Sequence, residues 1–190
     1  MTERWRCFVA LDIDDDLRAR LGSAVAGWQA DARTRGLRWT EPDALHLTLA
    51  FLSGVDPGRM TAISEALTGV AARHRASAVR TGRLGAFASP RSARVLWYGV
   101  EDASGAISGL AADVAAALGL TAETSYRPHV TLARDRRRSV DLRGWIEEAS
   151  ASAPSGTLRV GALHLKRSHL GRSPARYETL ASVSLEPDDD

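Results

Sequence analysis

The sequence predicts an α+β fold with largely antiparallel strands, duplicated into a bilobal unit, and three observations carry that expectation. Apolar runs with two-residue alternation recur along the chain; stretches with apolar residues at helical spacing lie between them; and one four-residue pattern occurs twice, as His46-Leu47-Thr48-Leu49 and His129-Val130-Thr131-Leu132. In a strand, His and Thr two residues apart share one face and the intervening apolar residues take the other. Packing of the two halves of the chain about a pseudo-two-fold axis sets the two His-Thr pairs opposite each other across a cleft.

The elements follow in order. Arg6 to Ile13 reads as a strand, and about Asp15 to Arg33 as a helix with Leu17, Leu21, Val25 and Trp28 on one side. Leu37 to Ser53 holds a short strand, a Pro42-Asp43 turn and the first motif strand; Met60, Ile63, Leu67 and Val70 then mark a second helix. Ala78 to Phe87 and Arg94 to Val100 form a hairpin about Ala88-Ser89-Pro90-Arg91-Ser92, followed by a helix from about Ser104 to Leu118. Pro128 opens the second motif strand, a position where proline is tolerated. A helix over Val140 to Ala149, a small-residue loop over Ala151 to Gly156, and two strands, Thr157 to Arg167 and Arg176 to Leu185 around a Gly171-Arg172-Ser173-Pro174 turn, complete the fold. The expectation is one bilobal domain over residues 1–187 with an acidic tail at 188–190.

Composition narrows the setting more than the function. With 44% apolar and 25% charged residues the chain has the makings of a buried core. Cys7 is the single cysteine and lies in the apolar run Cys7-Phe8-Val9-Ala10-Leu11, where it reads as a small buried hydrophobe. The apolar stretch after Arg4 and Arg6 stops at Asp12 and meets Asp14, Asp15 and Asp16, too short and acidic for a secretory signal. No apolar run approaches the ~20 residues that cross a bilayer, so a cytoplasmic protein without membrane association is expected. Net charge is +2, yet the cations are almost all arginine, with Lys166 the sole lysine. Arg134, Arg136, Arg137 and Arg138 follow directly on the second motif and suit a polyanion.

Two imidazoles and two hydroxyls are the equipment of a metal-free acid–base phosphoesterase. Cleaving a phosphodiester requires a base for the attacking oxygen, an acid for the leaving oxygen and donors for the phosphoryl group. An ordinary histidine pKa near 6.5 lets one ring stay neutral while the other is protonated near neutral pH. His74, in a helical arginine-rich segment, is expected at the solvent, and His164 and His169, flanking Leu165-Lys166-Arg167-Ser168, are weaker candidates for binding. Neither motif brings a neighbouring carboxylate or thiolate, which argues against a zinc site; no metal and no cofactor is expected. The rival readings are a phosphodiesterase of small cyclic nucleotides or ADP-ribose cyclic phosphate, and a non-catalytic RNA-binding module.

The paired motif, in that order and spacing, resembles the two-histidine phosphoesterases, and among them the RNA 2′,3′-cyclic phosphodiesterases formerly called 2′-5′ RNA ligases. Arg6 to Leu11, Leu37-Arg38-Trp39-Thr40, Leu45 to Leu52, Gly85-Ala86-Phe87, Arg94-Val95-Leu96-Trp97, Pro128 to Arg134 and Tyr177-Glu178-Thr179-Leu180 carry the resemblance across nearly the whole chain. It implies two mainly antiparallel sheets around a central cleft, helices outside, and hydrolysis of an RNA terminal 2′,3′-cyclic phosphate to a 2′-phosphate, with 2′-5′ ligation as the reverse chemistry. It also implies His46 as proton donor to the departing 3′ oxygen, His129 as the acceptor that activates water, Thr48 and Thr131 as phosphate ligands, and Arg134 as an anion partner. Tyr126 stands where the family has phenylalanine and is a candidate to stack on a base. Asp14 and Ala93 replace prolines common in the family, outside the motifs. One chain holding both motifs needs no protein partner, so a monomer acting on RNA is expected.

Overall fold

The computed structural model describes residues 3–121, 125–135, 139–169 and 175–187. Arg136 to Arg138, the Gly171 to Pro174 turn and the tail at 188–190 lie outside the described residues. The chain runs β1 (Trp5–Asp12), α1 (Asp15–Gln29), β2 (Arg38–Trp39), β3 (His46–Val55), α2 (Met60–Ala71), β4 (Ser77–Ser89), β5 (Ser92–Glu101), α3 (Ala106–Ala117), β6 (His129–Arg134), α4 (Arg143–Ala151), β7 (Gly156–Val160), β8 (Ala162–His169) and β9 (Arg176–Ser184).

Local chemistry explains the helix starts. Asp14 caps α1 by accepting from the Leu17 amide at 2.8 Å, and Asp15 and Asp16 complement the positive end of the helix. Asp102 accepts from the Ile107 and Ser108 amides at the head of α3, and Gly119, at φ +67°, follows its end in the left-handed region. α4 begins at Arg143 rather than at Val140. Val140 instead exchanges backbone hydrogen bonds with Ala93, and the Asp141 carboxylate accepts from the Arg143 amide at 3.2 Å.

All strand pairs are antiparallel, in the order β7-β4-β5-β6-β3-β1-β8-β9, with β2 beside the C-terminal end of β6. Two four-stranded arrays, β3-β1-β8-β9 and β7-β4-β5-β6, therefore form the two lobes, and they meet where Leu47 of β3 pairs with Val130 of β6. Helices α2 and α3 pack on the first array and α1 and α4 on the second. The rings of Trp28 and Trp145 meet edge-on between α1 and α4, 6.1 Å apart. One continuous apolar core underlies both lobes, with Leu47 and Val130 each fully buried at the seam.

Two expectations are corrected here. The lobes are not the two halves of the chain: β1 and β3 share a lobe with β8 and β9, and α1, which follows β1, packs on the other lobe. The run Thr157 to Arg167 is not one strand. Leu158 and Val160 are buried before Gly161, and Leu163 and Leu165 after it, so the apolar phase slips by one residue at the glycine. A one-residue slip turns every side chain to the other face, and the chain uses it to leave β4 and join β1.

Candidate active site

The Leu47–Val130 pair fixes the geometry of the site. In that antiparallel register His46 stands across from Thr131, and Thr48 across from His129. The alternation along both strands sends Leu47, Leu49, Val130 and Leu132 to the core, and leaves the four motif side chains half-buried or better exposed on the concave face. Each motif ends on a bulge. β1 pairs Val9 with Ala50 and Ala10 with Thr48, skipping Leu49; β5 pairs Leu96 with Ala133 and Trp97 with Thr131, skipping Leu132. Bulges re-aim neighbouring side chains and sharpen strand twist, and here the same residue of each motif supplies the extra step.

Both imidazoles are held the same way. His46 Nδ1–H donates to the Ala44 carbonyl at 2.7 Å and His129 Nδ1–H to the Arg127 carbonyl at 2.7 Å. A carbonyl only accepts, so each Nδ1 carries the proton and Nε2 is the nitrogen that can accept one. Each ring also has two aromatic neighbours. His46 lies 4.7 Å from Phe8 and 5.1 Å edge-on from Tyr177; His129 lies 5.0 Å edge-on from Phe87 and 6.3 Å from Trp97. The Trp97 ring rests on glycines: a Cβ at Gly85 would sit 2.2 Å from it, and one at Gly99 3.2 Å.

The electrostatics of the first histidine are distinctive. Burial pushes His46 from the ordinary 6.5 down to about 4; the Ala44 hydrogen bond opposes this, Lys166 adds to it, Asp12 opposes it and Arg134 adds to it. His46 is therefore neutral at pH 7 in the free protein.

A cleft of about 880 Å³ runs along this face, with His46, Thr48, Thr131 and Arg134 in its wall beside Arg6, Arg38, Trp39, Arg94, Phe51 and Tyr177. Arg134 donates to the Thr131 hydroxyl at 3.3 Å, which sets its guanidinium beside the second motif. Phe51 is 64% exposed, the large apolar side chain most open to solvent among the described residues. Tyr126 packs against the core, and its hydroxyl donates to the Thr48 carbonyl at 2.8 Å, tying the approach to β6 onto β3. His164 and His169 face opposite ends of β8: His164 lies near Asp12, and His169 pairs with Glu178 at 2.8 Å on the cleft rim. His74 is half-buried rather than free in solvent, because it joins the turn after α2 to α3 through Asp113 at 2.8 Å. Among the described residues no three His, Cys, Asp or Glu side chains group as a metal site, and no helix is long and apolar enough to cross a membrane.

Sequence reasoning missed the walls. Phe8, Tyr177, Phe87 and Trp97 lie in segments that carried the resemblance, but nothing in a single strand tells which ring reaches a histidine on its neighbour. Asp12 and Lys166 were missed for the same reason.

Two His-x-Thr strands, joined in register at Leu47–Val130, with His46, Thr48 and Thr131 in the wall of one cleft, define a two-histidine phosphoesterase. The chain belongs to the family of LigT-like phosphoesterases, whose model matches residues 11–97 and 99–177. An RNA 2′,3′-cyclic phosphodiesterase of Geobacillus stearothermophilus is 31% identical over 96% of this chain, which spans 58% of that relative's length. A protein of the same name from Archaeoglobus fulgidus is 29% identical over 92% of this chain and 97% of its own. The crystal structure of E. coli LigT complexed with ATP superposes with a TM-score of 0.71 at 25% identity, covering 97% of this chain and 99% of that one.

Proposed function

We propose that this protein hydrolyses the 2′,3′-cyclic phosphate at the end of an RNA to a 2′-phosphate, by acid–base catalysis from the two motif histidines without a metal. The observation that carries the reading is the Leu47–Val130 register, which sets each histidine across from the other motif's threonine on one concave face. The names of the relatives and the arginines along the cleft support RNA as the substrate class.

In this mechanism the phosphate sits between the motifs, with Thr48 and Thr131 donating to its nonbridging oxygens and Arg134 balancing its charge. A well-placed donor of this kind is worth ~3 kcal/mol in the transition state. His129 Nε2 takes a proton from water as the water oxygen bonds to phosphorus. The bond from phosphorus to O3′ breaks, and O3′ receives its proton from His46 Nε2, leaving a 3′-hydroxyl and a 2′-phosphate. Proton exchange with solvent resets both rings.

The low proton affinity of His46 gives this scheme a sequence. His46 is neutral in the empty cleft, and its proton arrives with the phosphate anion, whose charge offsets the burial. Once protonated, a ring that holds its proton weakly is a strong acid toward a departing alkoxide. Ligation substitutes an RNA 5′-hydroxyl for water as the group that attacks phosphorus, forming a 2′-5′ bond as the bond to O3′ breaks, and competes poorly in aqueous solution. Tyr126 serves by holding β3 through Thr48, and Phe51 is the ring placed for base stacking. Both motifs belong to one chain, so we read the enzyme as a monomer, and its single buried thiol as suited to the cytoplasm.

The test is incubation of EDTA-treated protein with an oligoribonucleotide ending in a 2′,3′-cyclic phosphate, with the product separated against 2′- and 3′-phosphate standards. A 2′-phosphate formed without metal is the expected result. No turnover by folded protein overturns the reading.

A further inference from the structure

The concave face of the first lobe carries a line of charge beside His46. Asp12 is the cross-strand partner of His46, whereas the partner of His129 is Gly99. Directly opposed residues in an antiparallel pair have Cβ atoms ~5 Å apart, so the Asp12 carboxylate is within Coulombic reach of the imidazole. Lys166 reaches over from β8 and places Nζ 2.8 Å and 3.0 Å from the two Asp12 oxygens, its side chain 13% exposed. His164 completes the line, with Nε2 3.8 Å from Asp12 and Nδ1 2.9 Å from the Ser182 hydroxyl on β9.

A lysine this deeply placed is unusual, because burying an ammonium is unfavourable unless it is paired and hydrogen-bonded. Elsewhere this chain makes its cation contacts with arginine; Lys166 is its one lysine. An ammonium is a compact point charge, and here it sits against a single carboxylate at the edge of the acid–base site rather than in the cleft wall with Arg6, Arg38, Arg94 and Arg134. Nothing in the packing requires a charge on β8 at this point: the same position of the strand ladder joins Phe8 on one side and Thr179 on the other.

We propose that the Asp12–Lys166 ion pair is a positioning device for His46 that sets how firmly this histidine holds its proton. The inference rests on the acid–base reading above. Asp12 favours the imidazolium and Lys166 disfavours it, and because each also neutralises the other, the pair presents His46 with a nearly balanced field that either residue can tip. Arg134 from β6 and Tyr177 from β9 also face His46, and His164 from β8 lies beside Asp12. Neither Asp12 nor Lys166 is assigned any contact with the substrate.

The balance makes a signed prediction that a merely structural ion pair does not. Lys166→Met leaves the Asp12 carboxylate unpaired beside His46 and raises the pH at which the ring titrates; Asp12→Asn leaves the ammonium and lowers it. Each shift is about one pH unit, the size of a charge removed at this range in a partly wet site. The double variant returns near the starting value, and Lys166→Arg preserves it. The measurement is an NMR titration of the His46 ring carbons in the free protein, with His46→Gln for assignment, followed by the pH profile of kcat/KM for each variant. Opposite shifts in the two single variants support the device. Shifts in the same direction, or none, in variants whose amide spectra show the native fold overturn it. Because the titration requires no substrate, loss of the proposed RNA activity leaves this result standing, and the reverse also holds.

Discussion

The two lobes repeat their histidine supports and differ in the residue set across from each ring, Asp12 for His46 and Gly99 for His129. In each, an Nδ1–H is tied to the carbonyl two residues earlier, the fourth motif residue forms a bulge, and two aromatic rings hold the imidazole. Around His46 the neighbouring strands add Asp12 and Lys166; around His129 they supply Gly99, and Gly85 beneath Trp97. Duplication thus builds orientation twice, and the strands flanking each motif decide what the oriented ring faces. The first lobe sets an ion pair beside its ring, and the second sets an indole that rests on glycine.

The strongest way to break the comparison is to remove one ring at a time. His46→Ala and His129→Ala are each expected to lower kcat at least ~10²-fold, the lower end of what a single proton transfer contributes, with unchanged circular dichroism. A loss confined to one variant would show that the lobes do not share the chemistry. Next in size, Thr48→Ala and Thr131→Ala each lower kcat/KM by about 10²-fold, since each removes one donor to the phosphoryl group; serine at either position retains most of the activity. Comparable losses for the two threonines in steady-state kinetics would show that the lobes grip the phosphate symmetrically.

A smaller effect sharpens the second lobe. Gly85→Ala sets a Cβ 2.2 Å from Trp97, so the indole, 6.3 Å from the His129 ring, must shift. Forced repacking of this kind destabilises by ~1–3 kcal/mol, read as a lowered Tm, and kcat should fall beyond what the loss of folded protein explains. Gly69→Ala, on a helix with nothing within 4 Å of the added carbon, is the control that should leave kcat unchanged and raise Tm slightly, alanine being the better helix former.

How much of this was legible in sequence follows from the range of the forces involved. The motifs and their shared face are set by strand alternation, a local property, and β1, β3, β6 and the four helices stand close to where periodicity puts them. Gly161 was legible too, as a change of apolar phase between Val160 and Leu163, although composition alone reads through it as one strand. What no local pattern reports is strand order. Asp12 is adjacent to His46 because β1 pairs with β3, and Lys166 adjoins both because β8 returns from the far end of the chain. The interleaving of the lobes is hidden for the same reason, since helix periodicity tells which face of α1 is buried but not against which array.

The last test separates the lobes by pH and stability. Between pH 6.5 and about 4 the folded protein keeps His46 neutral while the unfolded chain protonates it. The unfolded state then binds more protons, so stability is complete above 6.5 and declines as the pH falls toward 4. The gap between those two values corresponds to ~3 kcal/mol at most, less for a ring that is partly open to the cleft. Carboxylates such as Asp31 and Asp141, held down to about 2 by their arginine neighbours, lose their contributions at lower pH and overlap little with this window. Denaturant melts of the wild type and His46→Gln at pH 7.5, 5.5 and 4.5 isolate the effect, since the variant should lack the decline and its stability relative to wild type should rise as the pH falls. Phosphate in the cleft supplies the counter-charge that burial withholds, and should flatten the wild-type decline. A decline that persists at the same slope in His46→Gln would mean that the cleft is wet enough to protonate His46 freely.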